Sequence, residues 1–520
     1  MTELSEPDLD RTEQPRPTRS VGRVVLSGGS WALVNQLTSL LVNLALTPFV
    51  LHGLGVDRYG LYLFAATVGQ FVATFDGGIT SSAQRFFATF AGTRDKLATT
   101  RLLTTLVLVT SVIGAAVFGV LWFVAPPLMD HLHMPASLHH EGIFLLRSLG
   151  VILGVALVRN AFQAILIAHQ RFAYTNVVGS LLYAEYVVGL VLTVHHHWGL
   201  QGVAWTLIGQ QAVVTIAYVP MAIPHLTARG LRVYSPTELK RFFSYSGKVQ
   251  LVGLSNLFLQ EADVLLIGAV LPIKYVAIYS VGANFANQLR SVPLNALAPV
   301  MTVLGQTLGR EGREALIGQF LRIQRAWVQF IAGWCIVGAA AMGFGITSWL
   351  GHSFLLSGIV GAMVLVGNLF YLGPSLTNLL LGLLDRPGDE ARFSGVMVAT
   401  NVVLTIPLVF LGPVGVAAAT AVGQLGAAIW LVRRIRRTLP AGGRPFIYDV
   451  PVPACLISAA VVVAMELALR PVVPHGPLGL VVCGLPAGLG LLLYAVLVLG
   501  PAQARAQARG LPARLRRRGA

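Results

Sequence analysis

The chain predicts an all-α polytopic membrane protein. About fourteen transmembrane helices form two pseudo-twofold-related six-helix lobes, with two extra C-terminal helices. The first observation behind this is composition: of 520 residues, 55% are apolar and only 11% charged, with a mean hydropathy of +0.72. Soluble domains carry about 25% charged residues. The second is length, since crossing about 30 Å of hydrocarbon takes about 20 apolar residues. The third is charge placement. Arg94, Lys96 and Arg101 fill one gap between apolar stretches, whereas 129–141 has no Lys or Arg. Arg229, Arg232, Lys240, Arg241 and Lys248 fill another, and 195–198 again has none; Arg433, Arg434, Arg436, Arg437 and Arg444 fill a third. Arg58, Lys274 and Arg470 are the exceptions on the Lys/Arg-poor side. Basic loops stay cytoplasmic, so this asymmetry sets the orientation.

The apolar stretches fall at 29–52, 59–88, 102–128, 142–168, 173–194, 200–223, 246–271, 275–306, 317–347, 354–384, 393–411, 413–432, 450–469 and 477–499. An even number puts both termini on the cytoplasmic side, where Arg505, Arg509, Arg514 and Arg516 to Arg518 lie. The net charge of +16 then reads as a rim facing anionic head groups, not as a nucleic-acid footprint. No signal peptide is expected: the first apolar stretch is long enough to span and has no small-residue cleavage site after it. Barrel strands of about ten alternating residues are not seen.

Two internal matches suggest duplication. Leu54 to Tyr62 resembles Leu271 to Tyr279, and Gly199 to Ala204 resembles Gly412 to Ala417, at offsets of about 217 and 213 residues. The expected organisation is a disordered cytoplasmic tail over 1–24, an N-lobe over 25–224 and a cytoplasmic linker over 225–245. A C-lobe over 246–438, two extra helices over 439–500 and a basic cytoplasmic tail over 501–520 complete it. Two lobes inserted the same way up leave a cavity between them. Prolines inside spans (Pro48, Pro220, Pro293, Pro299, Pro374, Pro407) mark expected kinks.

Charges inside spans are costly and mark candidate sites. Arg85, Arg159 and Arg290, with Asn35 and Asn284, are the candidate substrate contacts; arginine pairs with phosphate or pyrophosphate in two-pronged geometry. Asp76, Glu185, Glu261 and Asp263 are candidate coupling or structural acids. The competing reading is structural, with Asp76 paired to Arg85 or Asp263 to Arg290. The His-rich loops around 131–140 and 195–197 suggest a metal or pH site, but no acid or cysteine ligands accompany them, and histidine there reads as a substitute for excluded Lys and Arg. Cys335, Cys455 and Cys483 lie in apolar stretches without metal-ligand spacing. No metal or cofactor is expected. No nucleotide-binding loop is visible either, so energy would come from an ion gradient or the membrane potential.

Phe49 to Tyr62 contains a Leu-Gly-x-x-x-Tyr-Gly pattern, Asp76 to Phe86 an Asp-x-Gly run ending in arginine, and Asp263 to Gly268 precedes Ala277-Ile278-Tyr279-Ser280. In this order they resemble the polysaccharide biosynthesis (oligosaccharide flippase) family of the multidrug/oligosaccharidyl-lipid/polysaccharide exporter superfamily, over about residues 25–435. Ala277 departs from the glycine of that pattern. The resemblance implies a non-enzymatic flippase that moves a polyprenyl-pyrophosphate-linked oligosaccharide across the bacterial cytoplasmic membrane by alternating access. Membrane lipids and polysaccharide polymerase machinery are its expected partners, and nucleic acid is not. The alternatives are a drug antiporter of the same superfamily, a major-facilitator permease (whose Gly-x-x-x-Asp-Arg signature is missing), and a membrane-embedded glycosyltransferase or polymerase.

Overall fold

The computed structural model describes residue 42 and residues 44–227, 233–384, 386–435, 446–473 and 476–500. The tails over 1–24 and 501–520, and Asn35, lie outside these residues. Two units are distinguished, Met1–Thr47, whose described residues are helical, and Pro48–Ala520, to which everything below refers.

Among the described residues there is no strand, as the long apolar runs require: in lipid every backbone N–H and C=O must be satisfied within its own segment. In chain order the helices are α1 (Leu44–Leu54), α2 (Val56–Thr93), α3 (Lys96–His131), α4 (His139–Ala168), α5 (Phe172–His195), α6 (Gly199–Ala222) and α7 (Pro236–Val270). They continue with α8 (Lys274–Leu350), α9 (Leu355–Leu372), α10 (Ser375–Leu383), α11 (Pro387–Leu408), α12 (Pro413–Ile435), α13 (Val452–Leu469) and α14 (Pro477–Leu499).

Helix ends follow local chemistry. Asp95 caps α3 by accepting from the Ala98 amide at 2.9 Å. Ser235 and Glu238 close a capping box at the start of α7, with Pro236 as its first residue. The stretches 275–306 and 317–347 belong to one 77-residue element, α8, whose continuity is broken at Gly312. There φ is 83°, a conformation only glycine adopts readily, and it divides α8 into two arms. The stretch 354–384 is split between α9 and α10 beside Pro374, which has no N–H to continue the ladder.

Among the described residues ten segments are long and apolar enough to cross a membrane. Apart from α1, the predicted spans missing from that set are α2, α7 and the first arm of α8. These three carry Asp76, Arg85, Glu261, Asp263, Asn284 and Arg290.

Packing relies on glycine. Gly114 of α3 lies so close to Gly154 of α4 that a Cβ would come within 2.9 Å of its Cα, and Gly282 of α8 sits against the Ser357 carbonyl at the start of α9. Small residues let membrane helices approach backbone to backbone. The N-terminal group packs as α3 on α4, α4 on α6 and α2 on α4; the C-terminal group packs as α8 on α9, α9 on α12 and α11 on α12. The last two helices are not peripheral. Ala454, Cys455 and Tyr494 share one buried cluster with Trp327, Ile331 and Leu372, and the Tyr494 hydroxyl donates to the Gln329 carbonyl at 2.6 Å.

Candidate functional site

The two helix groups meet along α2, which runs beside α7 and touches α8. At one end Gly60 faces the Ile273 carbonyl, where a Cβ would lie at 2.4 Å. Gly60 and Ile273 belong to the two segments that the internal repeat equates. Further along, Gly268 of α7 receives the Phe64 ring. Thr67 then donates to Glu261 at 3.2 Å, and the Gln250 amide donates to the Thr74 carbonyl at 2.7 Å while accepting from the Gly78 N–H at 3.1 Å. The Ser246 and Ser82 hydroxyls are 2.8 Å apart, and Phe86 stacks at a tilt on Phe242 at the Lys/Arg-rich end. Hydrogen bonds of uncharged donors therefore line the seam, with Glu261 its one acid.

Beside the seam, Asp76 is buried on the opposite flank of α2. Its Oδ2 accepts from Thr80 at 2.8 Å and from the Asn160 amide of α4 at 2.5 Å, while Oδ1 has no partner. Asn160 in turn accepts from its neighbour Arg159, Nη2 at 2.6 Å and Nε at 3.2 Å. The amide thus separates the carboxylate from the guanidinium and orients both.

A second cluster forms on the other flank of α7. Asp263 Oδ2 accepts from Tyr279 of α8 and from Thr420 of α12, each at 2.7 Å. The Asn401 amide of α11 donates to Thr420 Oγ1 at 2.9 Å. Three helices thus contribute hydroxyl or amide groups around one half-buried carboxylate of α7. These are hard oxygen donors of the kind that suit a proton or a small monovalent cation. Among the described residues no three His, Cys, Asp or Glu side chains converge as a metal site.

The remaining candidates are dispersed. Arg85 and Asn284 are exposed. Arg290 lies 5.5 Å over the Tyr371 ring, with its Nε buried and without a hydrogen bond. Glu185 of α5 has a buried, unpartnered Oε2, and its Oε1 is the nearest atom to the Cβ position of Gly209 on α6. The two proposed arginine–aspartate pairs are not made: Asp76 bonds Thr80 and Asn160, and Asp263 bonds Tyr279 and Thr420. A neutral hydroxyl or amide partner has no span-internal charge to reveal it, so Asn401 and Thr420 escaped the search for intramembrane charges. Glu466 also escaped it. It lies one turn from the end of α13, buried, with Oε1 unpartnered.

On the Lys/Arg-poor side Arg58 makes a two-pronged ion pair with Glu141, at 2.8 Å from Nη2 and 3.0 Å from Nε. Glu141 also accepts from the Leu200 N–H at 3.2 Å, so one carboxylate ties the starts of α2, α4 and α6 together.

This helix arrangement is shared with solved membrane transporters. The structure matches "Lipid II flippase MurJ, inward closed conformation" with a TM-score of 0.66 and 13% identity, covering 90% of this chain and 98% of that one. It matches the inward-facing conformation of a multidrug resistance MATE family transporter of the MOP superfamily with a TM-score of 0.60 and 16% identity, covering 76% of this chain and 94% of that one. A MOP superfamily transporter from Pyrococcus furiosus matches with a TM-score of 0.51 and 16% identity, covering 80% of this chain and 95% of that one. No curated protein matches the chain by sequence. Residues 54–310 match the family described as "Polysaccharide biosynthesis protein". That match spans just under half of the chain and agrees with the motifs at Leu54, Asp76 and Asp263.

Proposed function

We propose that this protein is a flippase that carries a polyprenyl-pyrophosphate-linked oligosaccharide across a bacterial cytoplasmic membrane, with both termini on the cytoplasmic side. The observation that carries the reading is the α2–α7 seam in a chain matching the polysaccharide biosynthesis family. The seam joins the two helix groups through glycine contacts and hydrogen bonds of neutral donors, and among the described residues the ion pair between α7 and the N-terminal group is Arg101–Glu238 at the Lys/Arg-rich end. Opening it exposes polar groups of α2 and α7 to a sugar, while the isoprenoid tail stays in lipid. Arg85, Arg290 and Asn284 are the contacts proposed for pyrophosphate and sugar in the opened state. Asn35 is retained as a candidate of the same kind. Asp263 is proposed as the coupling acid, driven by an ion gradient without a cofactor, with Asp76, Glu185 and Glu261 as supporting acids. Polysaccharide polymerase machinery is the proposed downstream partner, with no chemistry performed by the chain itself.

A drug antiporter is the second reading, favoured by the acids Asp76, Glu261 and Asp263 and by the likeness to the MATE fold. Reconstitution in vesicles separates the two. Flipping of a fluorescent polyprenyl-pyrophosphate oligosaccharide, lost in Arg85→Ala or Arg290→Ala at normal protein levels, supports the flippase. Counter-transport of an organic cation without lipid flipping overturns it.

A further inference from the structure

Arg159 has a second neighbourhood besides Asn160. An open groove of about 470 Å³ runs between α3, α4 and α6, and Arg159 is the one charged residue in its lining. Ser111 and Thr215 are its other polar side chains. Its floor is α4, where Gly150 and Gly154 leave room and Val151, Val155 and Val158 supply apolar surface. All three helices are long and apolar enough to cross a membrane, so the groove opens to lipid.

Two of the Arg159 nitrogens are given to the neutral Asn160 Oδ1. Among the described residues no carboxylate comes within 4.0 Å of Arg159, Asp76 being held off by the Asn160 amide. A cation at this depth without a paired anion is costly. Its depth can be estimated. The 30 residues of α4 are about 45 Å long, so about 7 Å emerges on each side of a hydrocarbon layer of about 30 Å. Arg159 is nine residues from Ala168, about 14 Å, which places its Cα about 6 Å inside the hydrocarbon boundary on the Lys/Arg-rich side. A long side chain bridges such a distance by reaching toward the head groups. From there the groove continues over Val158 to Gly150, about 12 Å toward the other side, close to the depth of one leaflet.

We propose that this groove is a site for one anionic membrane phospholipid of the leaflet on the Lys/Arg-rich side. Its phosphate pairs with Arg159 and one acyl chain lies along Val158 to Gly150. The phosphate supplies the missing anion, and guanidinium–phosphate pairing is two-pronged. The chain covers apolar surface that α3 and α6 leave open. The site does not depend on which cargo the protein moves.

The full-length protein in mild detergent, washed free of lipid and given back phosphatidylglycerol, should retain one such molecule by native mass spectrometry. Phosphatidylcholine, whose head group is neutral overall, should be retained about tenfold less. Arg159→Gln should lower phosphatidylglycerol retention about tenfold, and Arg159→Lys less, because the charge stays while the fork is lost. Val155→Trp fills the groove with Arg159 intact and should have the same effect as Arg159→Gln. Val112→Trp, on an exposed position of α3 outside the groove, should leave retention unchanged. Unchanged retention in Val155→Trp, equal loss in Val112→Trp, or equal retention of the two phospholipids overturns the proposal. Preferential retention of an added polyprenyl phosphate also overturns it, and would assign the groove to cargo.

Discussion

Glu261 and Asp263 stand two residues apart on α7 and turn to different neighbours. Glu261 accepts from Thr67 across the seam to α2, and Asp263 accepts from Tyr279 and Thr420 within the C-terminal helix group. One turn of one helix therefore touches both the interface proposed to open and the cluster proposed to hold the coupling ion.

Asp263→Asn should preserve an acceptor for Tyr279 and Thr420, and with it folding. It removes the charge, so transport should lose its dependence on the driving ion, with a fall in rate of about tenfold or more, which is about 1.4 kcal/mol. Glu261→Gln should instead leave ion dependence in place and change only the rate. Ion-gradient-driven uptake in vesicles reads both, and equal ion dependence in wild type and Asp263→Asn would sink the coupling role.

The Ser82–Ser246 contact offers a lock. Cysteines at both positions should oxidise to a disulfide and halt transport, and reductant should restore it. Undiminished transport by the cross-linked protein would mean that the seam does not open at this end.

The Arg58–Glu141 pair is half exposed, and its effect should be modest. Glu141→Gln should lower thermal stability by about 1 kcal/mol, through the weakened ion pair and the weaker acceptor for Leu200. A double-mutant cycle with Arg58→Ala should give a coupling of about the same size.

Glu238 lies outside the membrane, where the Ser235 N–H and hydroxyl, with Arg101 nearby, hold its carboxylate below the ordinary glutamate range. A depressed folded-state value means that the stabilisation is full above the ordinary carboxylate range and fades as pH falls through the depressed one. Protease resistance of the segment joining α6 and α7 should decline on acidification, and Glu238→Gln should flatten that decline. An unchanged acid profile in Glu238→Gln would place the sensitivity elsewhere.

Orientation can be tested at two exposed serines. A cysteine at Ser137 should react with an impermeant thiol reagent from outside the cell, and one at Ser235 should not. The reverse pattern would invert the reading of the Lys/Arg asymmetry.

The apolar runs made the helices legible, because a membrane leaves so few alternatives to them. The break in α8 was less so. Gly312 lies in the polar gap between two predicted spans, and its positive φ shows that the helix is broken there rather than joined by a long loop. Candidate acids were found by their cost in lipid. Their partners were not, since Asn160 and Thr420 are neutral and meet Asp76 and Asp263 across 84 and 157 residues of sequence. The repeat ends before the last two helices, but a repeat boundary carries no information about which faces are covered, and Tyr494 is packed against Gly333.

The glycines of the α2–α7 seam have a further consequence for how it parts. Where Gly78 meets the Ser246 carbonyl the Gln250 side chain bridges the two helices, so separation there releases one amide rather than a packed row of side chains. Four hydrogen bonds, from Thr67, Gly78, Gln250 and Ser246, each contribute about 1 kcal/mol net. Together they amount to a few kcal/mol, the size of gap that keeps a minor state populated at about 0.1–10%. Such a join behaves like a zip with few teeth: firm enough to hide its polar lining from lipid, and weak enough for one bound ion or one bound sugar to open it.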